Sequence, residues 1–381
     1  MVGIGNIFAM FCGGMNLPKV FPFLGNTQFK GFGAITAVCM GLTAFTSVAS
    51  IPERDPRLDP EHPDANQGLI QLFHGLWKSV FRLPPQIVKI CQVQFLAWMG
   101  WFPFLYYTTT YVGEIYVQPF FEANPNMTTD EVDRLLEAGT RRGTMALLLF
   151  AIVTFLTSII LPFFIPPNYK IEPTNPGPTI HLSSSDTPTK LSVFQSSFTQ
   201  VGSKISALLT RLEIPSLTLR RVWLYSHILF CFCMWSTLMV RSVPLATGLI
   251  AVVGVPWAIT MWAPFALISA EISKRDAIRR GVLPAPPTTD GALLAANEDD
   301  TVDQAGIVLG IHNVAISAPQ VIATVVGSVL FKWLQKERGE PGDESVAWFF
   351  RLGGLCALYA AWLTRQVGEE GGLQSQTQGH R

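Results

Sequence analysis

Residues 94–116 read QFLAWMGWFPFLYYTTTYVGEIY, and from Ile90 to Gly113 the chain carries no Lys, Arg, Asp or Glu. An uncharged run of this length matches the roughly 20 residues that a helix needs to cross the hydrocarbon of a bilayer. Pro103, in its middle, would break a helix in water. In a membrane it is tolerated where neighbouring helices re-satisfy the freed backbone groups. Toward the end of the run the polarity becomes patterned. Tyr107, Thr110, Tyr111 and Glu114 fall at i, i+3, i+4 and i+7, on one face of a helix. A lining of aromatic rings, hydroxyls and one carboxylate suits a sugar, whose C–H faces pack on rings while its O–H groups seek polar partners. The same residues also fit an aromatic belt at the membrane interface, with Glu114 already in water. Both readings stay open on these residues alone.

The rest of the chain repeats this texture. Hydrophobic residues make up 49% of the 381 and charged ones 14%, against about 25% charged in soluble domains. The charges also cluster between the apolar blocks. Eight blocks are long enough to span: Val2–Phe23, Phe32–Ile51, Ile90–Val117, Thr144–Ile165, Val222–Val240, Val243–Ile272, Ala305–Trp333 and Val346–Leu363. The predicted fold class is therefore an all-α polytopic membrane protein of about eight transmembrane helices. A net charge of zero offers no basic patch to nucleic acid. The six cysteines lie inside apolar blocks without metal-ligand spacing, so no metal site is expected. No Walker motif, CxxC or GxSxG is present, and the chain does not read as an enzyme.

With Met1 cytoplasmic and alternating spans, the cytoplasmic segments are 52–89, 166–221, 273–304 and the tail 366–381. These segments hold most of the Lys and Arg, as the positive-inside rule requires. Their Pro, Ser and charge content predicts linkers rather than packed domains, with Ser183–Ser185 and Thr187 as candidate phosphorylation positions. Asn126-Met127-Thr128 is a glycosylation sequon and falls in an expected external loop.

Other intramembrane polar groups are informative because they are costly in lipid. The sixth block contains GVPWAITMWAPFALISAEIS from Gly254, with Trp257 and Trp262 deep in it. In the seventh, Gly306, Gly310 and Asn313 share a face. The glycines predict close helix packing, and Asn313 reads equally as a cross-helix hydrogen bond or a cavity lining.

Three blocks together resemble a known family. Trp98-Met99-Gly100-Trp101-Phe102-Pro103-Phe104 with Gly113-Glu114-Ile115-Tyr116 is the first. Gly254-Val255-Pro256-Trp257-Ala258-Ile259-Thr260 with Pro264-Phe265-Ala266-Leu267 is the second, and Gly310-Ile311-His312-Asn313-Val314-Ala315-Ile316 with Pro319-Gln320 the third. In this order they resemble the sucrose and α-glucoside–proton symporters, glycoside–pentoside–hexuronide:cation symporters of the major facilitator superfamily. The resemblance implies sugar symport by alternating access, with a disaccharide substrate, a proton as coupling ion and no other cofactor. A plasma-membrane location is favoured over the vacuolar membrane, and no protein partner is implied.

The family has twelve helices in two halves, and this chain looks like helices five to twelve, a partial major facilitator fold. Residues 1–51 would close the first half, 52–89 would form the central loop, and 90–365 the second six-helix half. The Arg-Gly-Arg-Arg turn and the fourth helix of the family are outside the chain. Thr108 and Thr110 stand near the Asp-x-Asp positions of the plant members, a fungal-type pattern, and Glu114 matches the family's Glu. The resemblance thus implies Glu114, Tyr107, Thr110, Tyr111, Trp101, Trp257 and Asn313 as substrate or proton-pathway candidates. A non-transporting relative, acting as sensor or regulator, is the alternative that the missing helices leave open.

Overall fold

The computed structural model of the protein describes residues 2–51, 83–124, 126–166, 212–288, 291–292, 294 and 305–368. Eight helices dominate: α1 Val2–Gly14, α2 Gln28–Ser50, α3 Pro85–Ala123, α4 Thr129–Ile160, α5 Leu219–Ser236, α6 Val243–Arg279, α7 Ala305–Leu334 and α8 Ser345–Thr364. Among the described residues there is no strand. Each helix falls on one of the eight apolar blocks, and the protein is a polytopic all-α membrane protein. By length and apolarity, five described helices can cross a membrane: α2, α4, α6, α7 and α8. The sequence predicts eight spans, and the difference has a physical origin. Helix α1 stops after 13 residues, at Gly13-Gly14. Helices α3 and α5 carry polar side chains, and several of these (Gln94, Thr108, Ser226, His227) are buried inside the bundle.

Boundaries also shift. Helix α4 starts fifteen residues before the apolar block, because Thr128 and Glu131 form a capping box. The Glu131 carboxylate accepts from the Thr128 backbone N–H at 2.9 Å, while the Thr128 hydroxyl accepts from the Glu131 N–H at 3.4 Å. These bonds satisfy two of the donors that every helix start leaves free. Asn126 of the sequon is exposed just ahead of this cap. Helix α3 begins at Pro85 and α6 runs on to Arg279, so both enter segments expected as loops. The candidate phosphorylation positions and most of the expected linkers lie outside the described residues.

Helix α3 is the hub. It packs against α4, α6, α7 and α8, while α8 also packs on α5, and α4 and α5 each pack on α6. At its centre Trp101 stacks with Phe230 of α5 at 4.1 Å, and Phe104 meets Phe150 of α4 at 5.5 Å and Phe350 of α8 at 6.0 Å. Two backbone contacts allow this packing. A Cβ on Gly353 would lie 3.0 Å from the Gly100 Cα, and one on Gly139 would lie 3.0 Å from the Gly113 Cα. Side chains at these positions would force the helices apart. The close contacts expected of Gly306 and Gly310 are not made: a Cβ at either meets nothing within 4 Å. Both face away from the described helices, so the small-residue stripe of α7 lies on a side that no described helix covers.

The N-terminal pair is attached differently. Helix α1 lies on α4. The chain then breaks at Met15-Asn16 and turns through a short helix, Leu17–Val20. The Gln28 side chain replaces the lost backbone pairing: its amide donates to Gly13 O at 3.0 Å and Met15 O at 2.7 Å, and its oxygen accepts from Leu17 N at 3.0 Å. Helix α2 buries only Gly31. Its Thr36, Thr43 and Thr46 hydroxyls donate to carbonyls one turn back, at 2.8–2.9 Å, so an apolar surround leaves none of them unpaired.

Two measurements check this architecture. Gly353→Leu should lower the melting temperature of the purified protein by several degrees or abolish its membrane expression, since overpacking costs about 1–3 kcal/mol or more. Gly310→Leu should leave both unchanged. Thr128→Val should remove about 1 kcal/mol from the start of α4, and hydrogen exchange of residues 129–132 should quicken roughly fivefold. Thr128→Ser should behave as the parent.

Candidate functional site: a carboxylate between two cavities

Glu114 sits 29 residues into α3, a helix packed against four others. It is half-buried and borders two cavities. One, of about 240 Å³, lies between α3, the α5–α6 turn and the start of α8, and is lined also by Tyr111, Arg241, Asp343 and Arg351. The other, of about 560 Å³, lies between α3, α4 and the α7–α8 connection, with Thr110 and Thr140 in its wall. Glu114, Gln118, Gly342 and Asp343 line both, so Glu114 stands at the waist of a two-lobed space.

The roof of the space is residues 335–344. The segment turns twice in left-handed conformation, at Gly339 (φ +94°) and Gly342 (φ +78°), where a side chain would be strained. Asp343 holds the turn together, accepting from Lys336 N at 3.2 Å and from Ser345 N at 2.8 Å. Arg338 pairs with Asp133 of α4. On the other side Glu344 accepts from Arg241 and from Arg351, each at 3.4 Å. The Arg351 side chain is almost wholly buried. It also donates to the Thr237 hydroxyl at 3.2 Å and lies over the Trp348 ring at 4.6 Å. A buried guanidinium needs such partners, because an unpaired charge in an apolar surround is very costly. The Tyr111 hydroxyl, by contrast, is buried at the edge of the smaller cavity with no hydrogen-bond partner among the described residues.

The predicted stripe is therefore divided. Glu114 and Tyr111 share one cavity, and Glu114 and Thr110 share the other. Tyr107 joins neither: its ring packs against Phe331 at 4.9 Å and Phe349 at 5.8 Å. Trp101 and Trp257 meet at 5.0 Å, with Trp101 only 1% exposed in the aromatic core. Asn313 is exposed on α7, away from all of these. Arg351, Glu344 and Asp343 enter the site without having been singled out as substrate or proton-pathway candidates. The signal available for them was their position: an Arg one turn inside an apolar block, preceded by an acidic pair in a very short loop.

No protein-family model matches the chain. It is 30% identical over 400 residues to the General alpha-glucoside permease of Schizosaccharomyces pombe, an alignment that covers 96% of this chain and 66% of the permease. An MFS-type transporter of Talaromyces islandicus, cctQ, is 29% identical over 40% of this chain and 54% of its own length. The Sucrose transport protein SUT5 of Oryza sativa subsp. indica is 33% identical over 33% of this chain and 23% of its own. The chain thus spans just under two thirds of the permease and a smaller part of the other two. Similarity that extends over 96% of its length groups the chain with the MFS-type α-glucoside and sucrose transport proteins.

Proposed function

We propose that the protein transports an α-glucoside such as maltose or sucrose together with a proton, by alternating access, across the plasma membrane. The observation that carries this reading is the near full-length similarity to an α-glucoside permease. In this reading α3–α8 form one six-helix half, α1 and α2 belong to the other, and the sugar passes between the halves near the bilayer midplane.

Glu114 is the proposed proton carrier. Coupling needs a carboxylate whose surroundings change between the two states, so that it binds a proton on one side and releases it on the other. Glu114 is half-buried between two cavities, and rearrangement of the 335–344 roof would change its hydration. Asp343 on that roof lines the same two cavities, so the roof also carries a charge that would move relative to Glu114. One proton crossing about 100 mV and about one pH unit supplies about 3.7 kcal/mol, which sustains a sugar gradient of a few hundred-fold.

Glu114→Gln keeps the side chain's shape and hydrogen bonding but cannot titrate. In a host lacking its own sugar transport, the parent should accumulate labelled maltose or sucrose, more strongly at acidic than at neutral external pH. The Gln form should accumulate little at either pH while still exchanging sugar across the membrane. Normal, pH-sensitive accumulation by the Gln form would remove Glu114 from the coupling step.

A further inference from the structure

About 30 Å along α3 from Glu114, toward the other end of the bundle, Gln94 faces His312 of α7. Both side chains are completely buried, at 0% exposure. Gln94 Nε2 lies 3.4 Å from His312 Nε2. This contact uses one nitrogen of each residue and leaves Gln94 Oε1 and His312 Nδ1 without a hydrogen-bond partner among the described residues. The buried indole N–H groups of Trp98 and Trp262 lack partners as well. Trp98 is one turn along α3 from Gln94, with its ring 5.8 Å from Trp257. Trp262 is one turn before Phe265 on α6, and Phe265 meets the His312 ring edge-on at 4.8 Å.

Leaving one buried polar group unsatisfied costs about 1–3 kcal/mol, so four such groups on the helices around one contact call for a reason. Their chemistry narrows it. The two indoles only donate, the amide oxygen only accepts, and the imidazole nitrogen does either according to its tautomer. None of the four carries an obligatory charge. A ligand that matches them is neutral and offers groups that both donate and accept, as sugar hydroxyls do. The Trp98, Trp257 and Phe265 rings supply the apolar faces on which the C–H surface of a sugar ring packs. We propose that Gln94 and His312, with Trp98 and Trp262, form a subsite that reads the hydroxyl groups of the transported disaccharide. The subsite rests on the sugar-transport reading above and is separate from Glu114. It is shut in this conformation, with the amide and imidazole holding each other. Helix α7 packs chiefly on α3 and only weakly on α8, so it can shift along α3 without being held by α8; in the proposed subsite such a shift opens the pair, and the sugar takes over their contact.

Gln94→Met and His312→Leu keep approximate size and remove the polar atoms. Thermal unfolding of the purified protein, titrated with maltose and with sucrose, gives stability and affinity together, and uptake gives KM. Without sugar, the double variant should melt at or above the parent's temperature, because unsatisfied groups have been removed. Its affinity for both sugars should fall at least tenfold, about 1.4 kcal/mol, with KM rising in parallel. A purely structural pair gives the reverse pattern, a lower melting temperature with unchanged affinity. Sugar affinities within twofold of the parent would overturn the subsite alone, and so would a double variant that fails to fold. A parent that neither binds nor transports any α-glucoside would instead overturn the transport reading and this inference with it.

Discussion

The bundle depends on bare backbone meeting bare backbone along α3. Between helices in lipid there is no hydrophobic driving force to spare, so packing must come from close contact. At Gly100 and Gly353 the α3 and α8 chains touch directly, and at Gly113 and Gly139 α3 and α4 do the same. The two sites lie thirteen residues apart on α3 and hold it from different sides. Beside them lies the aromatic cluster of Trp101, Phe104, Phe230 and Phe350. The second glycine contact comes one residue before Glu114, which is why that carboxylate has a fixed position relative to α4.

Polar groups in the bundle fall into two kinds. Those near the 335–344 segment are charged and cross-linked: Arg338 to Asp133, and Glu344 to both Arg241 and Arg351. A lid bound by ion pairs at both edges is stiff while they hold, and their strength falls as water and salt enter. Those near Gln94 are uncharged and under-satisfied.

The helices were legible in the sequence because lipid demands long apolar runs, and all eight blocks contain one. Their ends were less so. The polar first half of α4 has no apolar signature, yet Thr128-Thr129-Asp130-Glu131 spells a capping box. The stripe through Tyr107, Thr110, Tyr111 and Glu114 correctly identifies one helix face, but a face nearly 11 Å long is shared among several neighbours. Its near end meets the phenylalanines of α7 and α8, and its far end meets the cavities. Glycine spacing is limited for a related reason. Periodicity shows that Gly306 and Gly310 share a side, but it cannot show what stands opposite. Gly100 and Gly113 belong to no local small-residue pattern, because their partners are 253 and 26 positions away. The same holds for Gln94 and His312, which are 218 apart.

The Gln28 staple has a mechanical side. Helix α2 is 23 residues long, about 35 Å, and its contacts with the other described residues are gathered at its root, where Gln28 grips the end of α1 and Gly31 rests against Leu17 at a would-be Cβ distance of 3.1 Å. Such a helix is a cantilever. A tilt of about ten degrees at the root sweeps the tip through about 6 Å, with three side-chain hydrogen bonds as the pivot. Among the described residues, one amide side chain therefore sets the bearing of an entire helix, and it is through this joint that α2 meets the bundle.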